Sequence, residues 1–183
     1  MKAGGAKILG AVLAGGQSRR FGSDKALAMI DGTPMIERVI AALAPQVDDL
    51  VLCGRDWPGC VTLADRPEGG AGPLAGLNTA LRHAADHGFD GVLAVPVDVL
   101  PLPEDLAARL VGEGPAVLER QYAVGWWPTA LGPRLDAWLA QGHRRIGQWM
   151  AEAGAERRPE PEGMRNINRP EDWPANPDQG RQR

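Results

Sequence analysis

Between Leu13 and Lys25 the chain gathers three glycines, two arginines and a lysine. Glycine lets a backbone approach a ligand closely and turns N–H groups toward phosphate oxygens. Arg20 and Lys25 add full positive charge, which a polyphosphate needs as it gains negative charge during group transfer. Lys25 stands out because the other lysines are Lys2 and Lys7, every further basic residue being arginine. A compact ammonium suits this position better than a planar fork. The stretch has neither the Gly-Lys-Ser/Thr of a Walker A loop nor the GxGxxG of a dinucleotide site. On residue types alone it also reads as a glycine-rich turn between a strand and a helix, with basic residues at the surface.

Asp98 is the second candidate. It follows the apolar run 91–95, so it belongs at the carboxyl end of a strand. A carboxylate there can hold Mg²⁺, a hard cation that prefers oxygen ligands and bridges polyphosphate oxygens. It reads equally as the cap of a helix beginning after Pro101-Leu102-Pro103. Gly72-Pro73-Leu74-Ala75-Gly76 opens a helix whose first N–H groups can face a base or phosphate, or only start a closely packed helix. Asp65, just upstream, can accept a hydrogen bond from a base or ribose, or cap a turn. Asn166 and Asn168 sit on alternate positions of an extended segment and should point the same way, unless they mark a turn before a helix started by Pro170. Arg144 and Arg145 precede a helix and are either contacts for a substrate phosphate or a solvated pair. His83, His87 and His143 lack metal-site spacing with a third ligand. Trp126, Trp127, Trp138 and Trp149 are expected to fill core or line a groove.

The elements that must place these residues follow from periodicity. Ile8–Leu13 is a compact apolar run of the kind found in a central parallel strand buried on both faces. Asp31-Gly32 marks a turn, and Thr33-Pro34 supplies a cap and first position for a helix of about 34–44 with Met35, Val39, Ile40 and Leu43 inward. Strands are expected at 50–53, 61–64 and 91–95, a helix at 73–87 with Leu74, Leu77, Leu81 and Ala85 inward, and a helix at 103–111. Two strands, 116–119 and 122–127, and two helices, 129–140 and 145–153, complete the pattern. Alternating strands and helices over the first 110 residues or so predict an α/β fold: a Rossmann-like, doubly wound, mainly parallel sheet with a small antiparallel addition. In such sheets ligands bind beyond the carboxyl ends of the strands, so the loops holding Gly15–Lys25 and Asp98 should share one crevice. With no internal repeat or second core, one domain over 1–173 is expected, followed by a polar, disordered tail from Pro174.

Composition sets the outer bounds. The chain has 183 residues, 44% hydrophobic and 23% charged, with a net charge of −3. No general positive field draws in nucleic acid or anionic lipid, so any phosphate recognition is local. The apolar run near the N-terminus is too short to span a membrane. Cys53 and Cys60 are expected to be reduced thiols in a cytoplasmic protein.

Together the motifs resemble those of the molybdenum cofactor guanylyltransferases, the MobA-type members of the nucleotidyltransferase superfamily. Their loop, Leu-Ala-Gly-Gly-x-Ser-x-Arg-Met/Phe-Gly-x-Asp-Lys, is matched throughout by Leu13–Lys25. Their Gly-Pro-Leu-Ala-Gly is matched at Gly72–Gly76, their metal aspartate at Asp98, and their Asn-x-Asn-x-Pro-Glu at Asn166–Glu171. The resemblance covers about residues 8–173. It implies that GTP and molybdopterin are the substrates, that Mg²⁺ is the cofactor, and that GMP is joined to the pterin's terminal phosphate with release of pyrophosphate. It further implies that Leu13, Ala14, Gly15 and Gly16 contact nucleotide through the backbone. Lys25 would hold phosphates beside Arg20, and Asp65 would contact the guanosine part with the Gly72-Pro73-Leu74 opening nearby. Asp98 would bind both metal and nucleotide; Arg144, Arg145, Asn166 and Asn168 are the candidates for the acceptor side. It leaves room for transient contact with a molybdenum-insertion protein or a molybdoenzyme. Leu52 stands where relatives often carry a nucleotide-contacting Asn, Val97 and Val99 flank Asp98 where Cys and a nearby Pro are common, and Tyr122-Ala123 stands near a familial His-Pro. Rival expectations are a cytidylyltransferase, a sugar- or polyol-phosphate nucleotidyltransferase, and a nucleotide-binding partner protein without catalysis.

Overall fold

The computed structural model describes residues 5–15, 25–68, 72–168 and 172–173, with only the backbone of Lys25. The strands are β1 (Ile8–Leu13), β2 (Met29–Ile30), β3 (Thr33–Pro34), β4 (Asp49–Cys53), β5 (Val61–Leu63), β6 (Gly91–Pro96), β7 (Val99–Leu100), β8 (Ala116–Leu118), β9 (Gly125–Pro128), β10 (Glu156–Arg158) and β11 (Arg165–Asn166). The helices are α1 (Met35–Leu43), α2 (Pro73–Asp86), α3 (Leu106–Leu110), α4 (Gly132–Ala140) and α5 (Ile146–Ala153), with short 3₁₀ turns at Lys25–Leu27, Ala44–Gln46 and Thr129–Leu131.

Seven strands form one sheet in the order β10-β8-β9-β6-β1-β4-β5. β9 runs against its neighbours, while β1, β4, β5, β6, β8 and β10 share a direction. This is the mainly parallel, doubly wound sheet with an antiparallel addition that the strand–helix alternation predicts. β1 lies inside the sheet, between β6 and β4, and every one of its residues is buried. Its side chains alternate between two cores. Ile8 and Val12 face a layer built from α1 and α3. Leu9, Ala11 and Leu13 face α2, α4 and α5. The Trp126–Trp127 pair on β9 divides in the same way, since neighbouring strand residues point to opposite faces. Trp149 is fully buried, so three of the four tryptophans singled out by sequence fill core.

Several boundaries differ from expectation for local reasons. Thr33-Pro34 does not open a helix directly. It is the second arm of a hairpin with Met29–Ile30, and Pro34 is the N-cap residue of α1 rather than its first turn. Asp31 and Gly32 have φ of 48° and 77°, the left-handed pair that a tight two-residue hairpin requires. Ile36 is fully buried in α1, and Ile40 only partly so. On α2, Ala84 takes the inward place expected for Ala85, which is exposed. α3 spans only Leu106–Leu110, because Pro103–Asp105 forms a turn leading into it, Leu106 N donating to Pro103 O at 3.3 Å. The buried Gln46 side chain holds that turn, donating to Ala42 O and Pro103 O (both 2.9 Å) and accepting from Ala107 N at 3.1 Å. The expected strand 122–127 begins only at Gly125, since Gln121–Val124 closes a turn with Val124 N donating to Gln121 O at 2.8 Å. Trp173 returns to the hairpin, its Nε1 donating to Asp31 Oδ2 at 3.0 Å and its ring stacking under Arg38. Residues 174–183, expected as a tail, lie outside the described residues.

Candidate active site

β1, β4, β5 and β6 are parallel, so their carboxyl ends, at Leu13, Cys53, Leu63 and Pro96, line one edge of the sheet. The ladder continues one residue further. Ala14 N donates to Cys53 O at 2.9 Å, Gly54 N to Leu63 O at 2.9 Å, and Val97 N to Leu13 O at 3.1 Å. These bonds fix where the chain leaves each strand. Gly15, Asp65 and Asp98 each stand two residues beyond a strand end. With strands ~4.8 Å apart, β5 and β6 lie roughly 14 Å from one another, with the β1 loop between them.

Asp65 sits in a notch made by glycines. A Cβ on Gly15 would collide with Asp65 Oδ2, and one on Gly54 would collide with the backbone of Gly15. Gly54 has φ +86°, a conformation that side chains strongly disfavour. A Cβ on Gly76 would stand 3.3 Å from Asp65 Oδ1 and 3.0 Å from Cys53 Cβ. The carboxyl is half-buried, and burial raises its pKa above the usual carboxylate range. Oδ1 is buried without a hydrogen-bond partner. A buried acceptor in that state is costly until a donor reaches it. Beneath it the Cys53 thiol is pushed up to about 12, first by burial and then by the charge of Asp65; it is a core residue and no nucleophile. A cleft of about 480 Å³ opens beside Asp65, walled by Gly54, Arg55, Thr62 and Glu68. Sequence reasoning missed Gly54 and this wall, and the signal was the Cys53-Gly54 step at a strand end.

At the opening of α2, Gly72 adopts φ 57°, ψ −146° and Pro73 takes the first turn. Leu74 is fully buried, so any nucleotide contact it makes is through the backbone. The helix opening is pinned to the Asp65 loop by Arg66 N donating to Ala75 O at 3.2 Å.

Asp98 occupies the neighbouring loop and is not a helix cap, since α3 begins beyond it with Asp105 as the N-cap residue. The late segment comes to it instead. β11 pairs antiparallel with β7, Val99 opposite Asn166, and Ile167 N donates to Asp98 O at 2.7 Å. With its amide nitrogen turned inward, Asn166 donates to Asp98 Oδ2 at 2.9 Å and Asp98 O at 3.3 Å. Asn166, expected at the acceptor, thus lies against the carboxylate. Asn168 is exposed, its N–H donating to Asp172 Oδ2 at 2.8 Å.

β9 descends to the amino edge, α4 returns from it, and the loop before α5 therefore lies at the carboxyl edge. Arg144 there donates to Leu139 O at 2.6 Å and His143 O at 2.7 Å, closing the end of α4. It also walls a second cleft, of about 570 Å³, with Arg66, Asn78 and Asp136. Arg145 is exposed at the N-cap of α5. Gly16 and Arg20, and the Lys25 side chain, lie outside the described residues. Among the described residues, no three of His, Cys, Asp and Glu converge as a metal cluster, and no helix is long and apolar enough to cross a membrane.

Residues 10–157 match the model of the MobA-like NTP transferase domain. The chain belongs to that family. It is 40% identical to the molybdenum cofactor guanylyltransferase of Rhodobacter capsulatus over 179 residues, covering 91% of this chain and 93% of the relative. It is 39% identical to that of Cereibacter sphaeroides with the same coverage. Among solved structures, a protein of Aquifex aeolicus VF5 superposes with a TM-score of 0.75 at 25% identity, over 92% of this chain and 98% of that one. The molybdopterin-guanine dinucleotide biosynthesis protein A of Archaeoglobus fulgidus gives 0.67 at 22% identity, over 82% and 83%. As a MobA-like NTP transferase, the chain is a nucleotidyltransferase, and the glycine notch and the Asp98 loop lie where an α/β sheet of this kind binds its ligand.

Proposed function

We propose that this protein transfers GMP from GTP to the terminal phosphate of molybdopterin, releasing pyrophosphate and forming the guanine dinucleotide cofactor. The observation that carries the reading is Asp65 in its glycine notch, with a buried carboxylate oxygen that lacks a donor. An ionised carboxylate only accepts hydrogen bonds, so it suits the N–H groups of guanine or the hydroxyls of ribose. Asp98, three strands away, then takes the phosphate end. The names carried by the relatives supply guanine and molybdopterin.

The Asp98 carboxylate presents the hard oxygen chemistry that Mg²⁺ prefers. A single protein carboxylate is enough for that ion, which keeps waters and takes its other ligands from phosphates. When bound at Asp98, Mg²⁺ supplies positive charge to the oxygens that become more negative during transfer. The rest falls to the chain. The Leu13–Gly16 backbone cradles the nucleotide, while Arg20 and Lys25 offset charge on the phosphates. Asn166 holds the Asp98 carboxylate in one orientation. A phosphate oxygen of molybdopterin attacks the α-phosphorus in line. The bond from that phosphorus to the bridging oxygen breaks, and the electron pair leaves on pyrophosphate. A phosphate monoester is already anionic near neutral pH, so no protein base is needed and catalysis is positioning plus electrostatics. The Arg144–Arg145 loop, with Asn168, faces the acceptor. We place the reaction in the cytoplasm, where a buried thiol such as Cys53 stays reduced.

Pyrophosphate release in the presence of molybdopterin and Mg²⁺ tests the reading. GTP should support turnover and CTP should not. Asp98→Ala should lower kcat by about a hundredfold or more while GTP still binds. Turnover with CTP would assign the chain to cytidylyl transfer instead. Full activity in Asp98→Ala would remove Asp98 from the chemistry.

A further inference from the structure

The loop that carries Asp65 is held on both sides by one stripe of α2. Ala64 O accepts from Thr79 Oγ1 at 2.9 Å. Arg66 N donates to Ala75 O at 3.2 Å. Arg66 O accepts from Asn78 Nδ2 at 3.3 Å. Positions 75, 78, 79 and 82 recur at helical spacing and share a face. Asn78 is only 3% exposed, a polar side chain inside an otherwise apolar stretch of helix. Such a group persists only if it is satisfied, and the second hydrogen of its amide goes to Asp136 Oδ1 on α4 at 2.6 Å. Asp136 also meets Arg66 Nε and Arg82 Nη1, both at 3.8 Å.

We infer that Asn78 is a positioning residue for Asp65: its amide clamps the Arg66 carbonyl, is itself oriented by Asp136, and so fixes the nucleotide-contacting carboxylate against Gly15. The inference rests on the proposed contact of Asp65 with nucleotide. A role confined to packing would require only that α2 and α4 stay joined. The clamp requires a donor at position 78 aimed at the loop, and the two requirements separate by exchanging the pair. Asn78→Asp with Asp136→Asn keeps an amide–carboxylate hydrogen bond between the helices. It leaves the Arg66 carbonyl facing a carboxylate that cannot donate.

The experiment compares the wild type, Asn78→Ala, the exchanged pair and Thr79→Val. Amide hydrogen exchange across residues 61–68 is followed without nucleotide, and steady-state kinetics are measured with GTP. In Asn78→Ala and in the exchanged pair, exchange at Arg66 should rise about tenfold. The KM for GTP should rise about five- to tenfold, the loss expected for one hydrogen bond, with kcat within about twofold. Thr79→Val, which frees the Ala64 carbonyl on the other side of Asp65, should do the same to a smaller degree, and it reports on the hold of α2 on this loop even if Asn78→Ala fails to fold. Wild-type exchange and KM in the exchanged pair would overturn the inference and leave Asn78 a packing residue. Faster exchange with an unchanged KM would also overturn it, by detaching the clamp from the nucleotide. A wild-type protein inert toward GTP would overturn the guanylyltransferase reading, while the exchange data still decide whether the clamp exists.

Discussion

Asp65 carries a cost that the nucleotide-free protein bears. Its carboxyl is half-buried, one oxygen lacks a donor, and burial raises its pKa. The folded chain therefore binds that proton more tightly than the unfolded chain does. Stability is greatest below the ordinary carboxylate pKa and declines as pH rises through that range toward the raised folded value. Asp65→Asn removes the titration and supplies a donor-bearing amide of nearly the same size. Without nucleotide, the variant should melt about 1–2 °C above the wild type at neutral pH, a small gain because the group is partly solvated. Calorimetry should show that gain vanish as pH falls below about 4, where an unfolded Asp takes up its proton. GTP binding should weaken in the same variant, and a variant that lost stability at pH 7 would contradict the account. Asp98 was legible because it follows an apolar strand, and Asp65 because it lies just upstream of the Gly72-Pro73 helix opening. The notch was not, because Gly54 belongs to no motif and its role depends on the approach of Gly15 from another strand. Nor was the Asn166–Asp98 contact, which requires the β7–β11 pairing to exist.

Among the elements, long apolar runs were readable and short ones were not. β1, β4, β6 and α2 announce themselves because burial on one or both faces dictates their residues. The β2–β3 hairpin has two-residue arms, too short for any periodicity, so Thr33-Pro34 resembled a helix start. α3 was overestimated because nothing local shows that the turn at Pro103 is held by a glutamine in the 3₁₀ turn after α1. That glutamine is worth testing. Gln46 is 2% exposed and serves Ala42 O, Pro103 O and Ala107 N. Gln46→Ala leaves the buried Ala107 N–H without its acceptor and takes one donor each from Ala42 O and Pro103 O, the latter keeping Leu106 N at 3.3 Å. Leaving buried groups unpaired costs about 1–3 kcal/mol, so urea unfolding should show a lower midpoint with an unchanged slope. The α1–α3 layer packs on the face of the sheet opposite α2, which holds the Asp65 loop, so the KM for GTP of the folded variant should hold. A shift in that KM would show that the layer reaches the site.

At the scale of the whole molecule, two cores back one sheet, and the candidate site lies along the sheet's carboxyl edge. Val12 and Val95 face the α1–α3 layer while Leu13 and Ala94 face the α2–α4–α5 layer. The strands β1 and β6 are therefore anchored from both faces where their loops leave them. A nucleotide lying along this edge bridges the Asp65 notch and the Asp98 loop, and its binding energy should appear as stability of the entire fold. GTP with Mg²⁺ at a hundred times its Kd adds about 2.7 kcal/mol, which for a chain of this size raises the melting temperature by about 5–10 °C. CTP at the same concentration should add little, because the wall beside Asp65 must admit one base edge and refuse the other. Asp98→Ala should lose most of the Mg²⁺-dependent part of the shift and keep the metal-independent remainder. Asn78→Ala should lower the shift at fixed GTP without changing its dependence on Mg²⁺. Equal shifts for GTP and CTP would show that the notch holds ribose and that base selection lies elsewhere, and a shift indifferent to Mg²⁺ in the wild type would separate Asp98 from the phosphates altogether.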